Sequence, residues 1–521
     1  METTLPHAPG DPTKPPIVRP PWPEAGPATR RALIAILVAV LAASIWRLVS
    51  FTLFGRFNVD EFENIQMLWL FDRGVIPYRD YLHSHTPLFN LLIWPVYRAV
   101  GAAPEVLGAV RVAILPVVLA TVALVWVTAR RVAGRLAALV ATTLFVSSPW
   151  AVQSLGEARP DTFTLPLVFV AAWLVFRAAD DPSWKPARFF GAGAILGIST
   201  LFTLKNGLYA LIVAMAFEHL RFARFHAPLR RRVIDMAIFG VLIVAPYTIF
   251  VALLLATGVV RPDAVDAVVT HGLGHIDPYL MKPYHWIFIT VFVAGHAFTV
   301  FGGGVGAVRA RWWGEPGAIA DRLVDTVSGR MLAAGLVPLL LLSFPVPHMF
   351  LMGLAFAAIL AARLVVAMPR RRAALWLLAA LVPPQFLTMA DLADRDHQMA
   401  EFRYVLDHAP PESPVIDAVY GYGTFRPIVG RFIHYRAGIL LPEDMEEQNA
   451  LVLRSVLTRR YGVVLKDHLS QLQPDIVHHA IDRCYEPSKD YPERILLPRP
   501  PDDPLCPPRA KRGRVQATPN P

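Results

Sequence analysis

The sequence predicts an α-helical integral membrane protein with about eleven transmembrane helices and a small C-terminal α/β soluble domain. Two bulk observations carry this prediction. Hydrophobic residues make up 55% of the 521-residue chain, and its mean hydropathy is +0.43, well above that of a soluble globular domain. Long apolar segments also recur along most of the chain, separated by short polar loops. Only the last part of the sequence has ordinary soluble composition.

The chain divides into four regions by composition. Residues 1–31 are predicted to be a disordered, proline-rich tail, 32–390 a transmembrane domain, 391–506 a soluble α/β domain, and 507–521 a second disordered tail. The predicted spans cover roughly residues 32–54, a segment ending near 128, 136–150, 162–177, 189–204, 207–220, 233–257, a segment ending near 305, 331–344, 349–367 and 374–390.

Charge in the loops alternates from one side of the predicted membrane to the other. Arginine pairs and clusters such as Arg30-Arg31, Arg130-Arg131 and Arg370 to Arg372 mark alternate loops, and such clusters identify the cytoplasmic side. This pattern predicts a multi-pass protein of the plasma (inner) membrane with a cytoplasmic N-terminus and a periplasmic or extracellular C-terminal domain. The net charge of +10 is therefore interpreted as a topology signal and not as a nucleic-acid surface.

The first outer loop, residues 55–105, is longer than the others and has a structure of its own. Apolar residues from Asp60 to Phe71 recur at helical spacing, which predicts an amphipathic helix lying in the membrane interface and ending at Gly74 and Pro77. The apolar stretch 87–100 is predicted to be a second interfacial helix, because counting it as a span would place Arg130-Arg131 on the outer side.

The soluble region is predicted to contain strands at 415–420 and 462–465 and a helix over 443–460. Both cysteines of the chain, Cys484 and Cys506, lie in this region. They either form a disulfide in an oxidising compartment or remain two free thiols.

Acidic and imidazole side chains from distant parts of the sequence fall in the predicted outer loops, which is typical of an active site at the membrane surface. Asp60-Glu61 follows the first span, and Glu157-Ala-Arg159-Pro-Asp161 precedes the fourth. Simpler interpretations remain beside this one. Asp60 with Glu63 fits a helix capping box, and Asp161 fits a helix cap.

The basic and histidine candidates have similar alternatives. Arg159 either binds a phosphate in bidentate fashion or pairs with Glu157, and Lys205 either contacts a phosphate or extends from an apolar segment to the membrane surface. His83, His85 and His348 either contact substrate or a divalent metal, or are ordinary loop and interface residues. His296 lies within a span, where an interhelical hydrogen bond is the default expectation.

The order of these motifs resembles the GT-C fold polytopic glycosyltransferases, close to the protein O-mannosyltransferases and aminoarabinose transferases. The resemblance rests on the acidic pair Asp60-Glu61 and six further segments spread over about residues 32–490. These segments are Gly74 to Asp80, His85-Thr-Pro87-Leu88, Glu157 to Asp161, Phe344-Pro-Val-Pro-His348 and, in the soluble region, Gly421 to Pro427 with Arg483 to Pro487. The family often has Lys-Pro-Pro where this chain has His85-Thr-Pro87.

The resemblance implies transfer of a sugar from a polyprenyl-phosphate donor to an acceptor hydroxyl, usually with inversion, at the outer membrane face. Asp60 or Glu61 would be the general base, and Asp161 a second carboxylate that orients acceptor or sugar. Arg159 and Lys205 would bind the donor phosphate. Besides this donor, the expected partners are membrane lipid and a glycan, lipid or protein acceptor, but no nucleic acid. No cofactor is certain, and dependence on a divalent metal is left open.

Three other classes compete with this interpretation. A multi-pass transporter or lipid flippase would also carry polar groups between its helices, although the sequence has no internal repeat. A non-catalytic envelope protein could use the same architecture. An O-antigen polymerase or ligase would have its large outer loop late in the chain, whereas here the large loop is early.

Overall fold

A computed structural model defines the fold of most of the chain. It describes residues 27–77, 79–81, 88–180, 186–203, 228–258, 296, 298–305, 351–382, 395–417, 420–429, 442–466 and 475–506. The described part is mainly helical. Its first ten helices are α1 (Pro27–Phe54), α2 (Val59–Asp72), α3 (Leu88–Val100), α4 (Glu105–Ser147), α5 (Pro149–Gly156), α6 (Pro160–Asp180), α7 (Pro186–Thr200), α8 (Leu229–Ala256), α9 (Leu351–Val366) and α10 (Arg370–Leu381).

Three of the described helical segments are long and apolar enough to cross a membrane. They are Arg30–Phe54 of α1, Glu105–Arg131 of α4 and Leu229–Ala256 of α8. Shorter apolar helices, among them Pro160–Val175 and Leu351–Val366, match further predicted spans. The predicted spans 207–220 and 331–344 lie outside the described residues, so the total of about eleven stays a prediction.

Helix α4 joins two predicted spans across a break. Gly134, between the two, has φ 83° and ψ 179°, a left-handed conformation that glycine adopts without a Cβ clash. The second half, Ala133–Ser147, is followed by α5 at an angle of 73°. The predicted third span, 136–150, is therefore wrong at its end: Ser148 leaves the helix and Pro149 starts a new one, because proline suits the first turn of a helix.

The membrane helices pack through aromatic contacts and small residues. The rings of Phe169 on α6 and Phe356 on α9 stack with centroids 5.2 Å apart. On α7, a Cβ on Gly197 would lie 2.2 Å from the carbonyl oxygen of Leu242 on α8, so only glycine permits this close approach. By contrast, large apolar side chains on α1 and α8 point away from the bundle, such as Trp46 with 73% exposure. Such surfaces are suited to lipid.

Helix α2 corresponds to the predicted amphipathic helix, but it is covered by other parts of the protein; its position in the membrane interface stays a prediction. Every residue from Glu61 to Leu70 is buried, including the polar residues Glu63, Asn64 and Gln66. Different parts of the protein cover the polar residues: Asn64 accepts a hydrogen bond from Asn90 of α3, and Gln66 contacts the C-terminal region. Gln66, for example, accepts a hydrogen bond from the amide of Phe425 and donates one to the carbonyl of Arg426.

The C-terminal region begins with helix α11 (Arg395–His408) and continues as a small sheet with helices. The remaining elements are β1 (Val415–Ile416), α12 (Pro442–Leu457), β2 (Val463–Leu465), α13 (Asp475–Cys484), β3 (Tyr485–Pro487) and β4 (Ile495–Pro498). Strand order is β1-β2-β4-β3, with β1 and β2 parallel and the other pairs antiparallel.

This region bears out two of the predicted elements and shortens a third. The helix over 443–460 and the strand at 462–465 are confirmed by α12 and β2, whereas the strand at 415–420 extends only over Val415–Ile416. Cys484 and Cys506 form a disulfide, which settles the alternative between a bond and two thiols.

Candidate active site

The turn between α1 and α2 presents the two candidate carboxylates. Asn58 is the N-cap of α2. Its side-chain oxygen accepts a hydrogen bond from the backbone amide of Asp60, and its backbone amide donates to Glu61 Oε2 at 2.8 Å. The predicted capping box of Asp60 with Glu63 is therefore wrong, and Glu61 fills the box instead. The carboxylates of Asp60 and Glu61 are neighbours in the sequence, but Glu61 belongs to the capping box and Asp60 does not.

Glu61 is fully engaged inside the protein. Arg111 of α4 donates from Nε and Nη2 to its two oxygens at 2.7 and 2.6 Å, and the amide of Ala158 donates to Oε1 at 2.8 Å. The side chains of Arg111 and Glu61 are 0% and 1% exposed. Arg111 also donates to the carbonyls of Phe51, Gly55 and Arg56, at the end of α1 and in the following turn. The pair therefore joins α1, α2 and α4.

Asp60 points to a different partner. Its Oδ2 lies 2.5 Å from Nη2 of Arg159, in the segment between α5 and α6, and its side chain keeps 14% exposure. Arg159 is also 3.2 Å from Glu157, and Asp161 interacts with it electrostatically. Burial by itself lowers the pKa of the Arg159 guanidinium, but the charges of Asp60, Glu157 and Asp161 outweigh that effect and raise the pKa.

Glu157 is the most enclosed member of this group. It accepts hydrogen bonds from the amide side chains of Asn58 at 3.3 Å and Gln153 at 3.1 Å. Burial raises the pKa of the Glu157 carboxyl, and only part of this effect is offset by the nearby guanidinium of Arg159. Three acidic residues thus surround Arg159. Of the two that form the ion pairs with Arg159 given above, Asp60 is partly exposed and Glu157 is buried.

Comparisons with known proteins identify a similar family and similar folds. Residues 84–255 match the family model for dolichyl-phosphate-mannose-protein mannosyltransferase. A comparison with curated protein sequences finds no significant match. Among solved structures, ArnT from Cupriavidus metallidurans bound to undecaprenyl phosphate aligns with a TM-score of 0.59 and 12% identity, over 89% of this chain and 98% of that chain.

Two further solved structures align over a similar share of the chain. They are ArnT from Cupriavidus metallidurans in the apo state, with a TM-score of 0.55, 13% identity and coverage of 90% and 98%, and the oligosaccharyltransferase of Archaeoglobus fulgidus in the apo form, with 0.51, 13%, 90% and 75%. The chain has the GT-C fold. The resemblance predicted from the order of motifs is confirmed.

Within this GT-C fold, the structure brings together the two acidic segments that the sequence predicted. Asp60, Glu61, Glu157, Arg159 and Asp161 form one cluster, although about a hundred residues separate the two segments. Arg159 pairs with Glu157, as one of the two predicted interpretations has it, but the pair is buried and not in water.

The remaining predicted site residues lie in other parts of the sequence. Lys205, His83, His85 and His348 lie outside the described residues. Among the residues that the structure does describe, no group of three or more histidine, cysteine, aspartate or glutamate side chains could hold a metal ion. His296 forms the expected interhelical hydrogen bond, with Nε2 2.6 Å from Oγ of Ser148.

Arg111 is the most important residue of this GT-C site that the sequence interpretation missed. A signal for it exists: it is the one charged residue between Glu105 and Arg130 of this long apolar segment, and such residues face a partner in the protein interior. Asn58 was also missed, because the acidic pair that follows it drew the capping interpretation.

Proposed function

We propose that this chain is a membrane glycosyltransferase that transfers a sugar from a polyprenyl-phosphate donor to an acceptor hydroxyl, with inversion. The observation that carries the proposal is the partly exposed carboxylate of Asp60, 2.5 Å from the guanidinium of Arg159 on a GT-C fold. The matches to a mannosyltransferase family model and to ArnT bound to undecaprenyl phosphate support the choice of donor class.

Asp60 is the proposed general base. An inverting transfer needs one carboxylate that accepts the proton of the attacking hydroxyl while the sugar leaves its phosphate. Asp60 has the accessibility for this role, and its contact with Arg159 fixes the orientation of the carboxylate. Glu61 lacks that accessibility, since both its oxygens are occupied by Arg111 and backbone amides. Its proposed role is to hold the turn in place.

Arg159 is better suited to organising the carboxylates than to binding the donor phosphate. Its charge is already shared among Asp60, Glu157 and Asp161, and its side chain is 7% exposed. Asp161 is proposed as the second carboxylate, orienting sugar or acceptor beside this arginine. Lys205 remains the proposed phosphate contact, where a cation would stabilise the charge that develops on the leaving phosphate.

The proposed arrangement in the membrane follows the charge of the loops. The N-terminus lies in the cytoplasm, and the acidic cluster and the C-terminal region face the periplasm or cell exterior. The disulfide between Cys484 and Cys506 supports this orientation, because disulfides persist in oxidising compartments. The donor would then enter from the outer leaflet, and the acceptor hydroxyl from the aqueous side.

The test measures sugar transfer by the purified protein in detergent with a panel of polyprenyl-phosphate sugars. Asp60→Asn is compared with wild type and with Asp72→Asn, a control on the same helix, where Asp72 pairs with Arg98 at the protein surface. One donor should be consumed by wild type and by the control, but not by folded Asp60→Asn, with a loss on the order of a hundredfold or more.

Two outcomes would overturn this proposal. Equal turnover by Asp60→Asn and wild type would remove Asp60 from the chemistry. No binding or turnover of any donor by wild type would favour the transporter or lipid flippase interpretation.

A further inference from the structure

Helix α11 of the C-terminal region is hydrogen-bonded to the turn that leads to Asp60. The side-chain amide of Gln398 accepts a hydrogen bond from the amide of Phe57 at 2.8 Å and donates one to the carbonyl of Phe57 at 2.9 Å. Gln398 is 2% exposed. Two hydrogen bonds to the N–H and C=O of one residue fix both the position and the rotation of that residue's backbone.

Phe57 is connected to the acidic cluster by a short path. The next residue, Asn58, is the N-cap of α2 and accepts a hydrogen bond from the amide of Asp60 at 3.1 Å. The side chain of Asn58 also donates to Glu157 at 3.3 Å. A rotation of the backbone at Phe57 would therefore move Asn58, and with it the first turn of the helix that carries Asp60.

A second residue of α11 contacts the same turn. The guanidinium of Arg395 lies over the ring of Phe57 at 4.7 Å from its centroid and donates to the carbonyl of Leu53. In the same turn, Arg111 of α4 donates to the carbonyls of Gly55 and Arg56. The turn is thus held by both α4 and α11.

We propose that Gln398 is a positioning residue for the reaction, which aligns Asp60 by fixing the backbone of Phe57. This inference rests on the proposed function, because it assigns Gln398 a role in the same chemistry. A glutamine suits the role for a chemical reason: its amide offers both N–H donors and a carbonyl acceptor without adding a charge. Among the charged groups nearby, Arg395 and Arg111 already supply the cations.

Gln66 provides a matched control in the same interface. Its side-chain amide also makes two hydrogen bonds to the backbone across the contact between α2 and the C-terminal region, to Phe425 and Arg426. Gln66 therefore stabilises the same docking as Gln398, but its bonds do not reach the turn before α2. Replacing either glutamine with methionine removes two hydrogen bonds and keeps a similar volume.

The experiment compares Gln398→Met, Gln66→Met and wild type in the donor assay described above. Gln398→Met should lower kcat by about tenfold to a hundredfold with little change in KM for the donor, since small misplacements of a catalytic group have effects of this size. Gln66→Met should keep kcat within about threefold of wild type. Gln398→Glu keeps the acceptor for the Phe57 amide, so its kcat should lie between those of Gln398→Met and Gln66→Met. This variant replaces Gln398→Met in the comparison if Gln398→Met does not fold.

Hydrogen exchange provides a readout that does not depend on activity. In the full-length protein, Gln398→Met should speed amide exchange at residues 58–61, whereas Gln66→Met should not. Unchanged kcat and unchanged exchange in Gln398→Met would overturn the inference, and so would equal losses of kcat in the two methionine variants. Failure of wild type to turn over any donor would instead count against the proposed function, and the exchange result would still test the contact.

Discussion

Replacing Arg111 with methionine should destabilise the protein far more than replacing a surface arginine. Arg111 and Glu61 are 0% and 1% exposed, so Arg111→Met leaves a buried carboxylate without its cation and the backbone carbonyls of Gly55 and Arg56 without this donor. Breaking a buried ion pair by removing one partner costs about 3–5 kcal/mol. That corresponds to a change of roughly a hundredfold to a few thousandfold in the folding equilibrium.

The surface pair Arg98–Asp72 is the matched control. Its side chains are 3.1 Å apart, but Arg98 is 63% exposed, so Arg98→Met should change the free energy of unfolding by about 0–1 kcal/mol. The measurement is the free energy of unfolding from SDS titration in mixed micelles. The double variant Arg111→Met with Glu61→Gln should recover about 1–2 kcal/mol, because it also removes the unpaired charge. Equal effects of Arg111→Met and Arg98→Met, or no recovery in the double variant, would refute the reasoning.

Three further predictions concern pH, the disulfide and a glycine. Burial raises the pKa of the Glu157 carboxyl in the folded protein, so the stability that this group contributes is complete below the ordinary pKa of 4.5 and is lost as pH rises through the raised pKa. In thermal melts, Glu157→Gln should therefore be at least as stable as wild type at pH 7, and the advantage of the variant should vanish below about pH 4.5. Cys484→Ser should destabilise the C-terminal region by about 3 kcal/mol, since the bond to Cys506 closes a loop with a sequence separation of 22; faster limited proteolysis would report this, and an unchanged rate would contradict it. Gly421→Ala should loosen the contact with α2, because its φ is +81° and a Cβ would lie 2.3 Å from Phe62; unchanged protease protection of the C-terminal region would argue against it.

The sequence was most informative where one residue type or one period dominated. Apolar length and the arginine clusters predicted the ends of the first, second and seventh spans, and the pair Arg130-Arg131 predicted a boundary close to the break within α4. The joint position of Asp60 and Arg159 also followed from motif order and loop side.

Features that depend on the partner of a surface were not predictable. The sequence of α2 is amphipathic, and nothing local shows that Gln66 is covered by a region more than three hundred residues away. For the same reason, the sequence around Phe425 and Arg426 does not show that both side chains are buried. The difference in accessibility between the carboxylates of Asp60 and Glu61 likewise depends on Arg111, which lies on another helix, α4.

The contact between Phe57 and Gln398 has a consequence for how the protein is made. The two residues are 341 positions apart, so the turn before Asp60 leaves the ribosome long before its partner does. The contact can form only after the helices between the two residues have been synthesised. A chain released before residue 395 would carry the acidic cluster on a turn that α4 contacts and α11 does not. Formation of this contact therefore reports that synthesis has reached the C-terminal region.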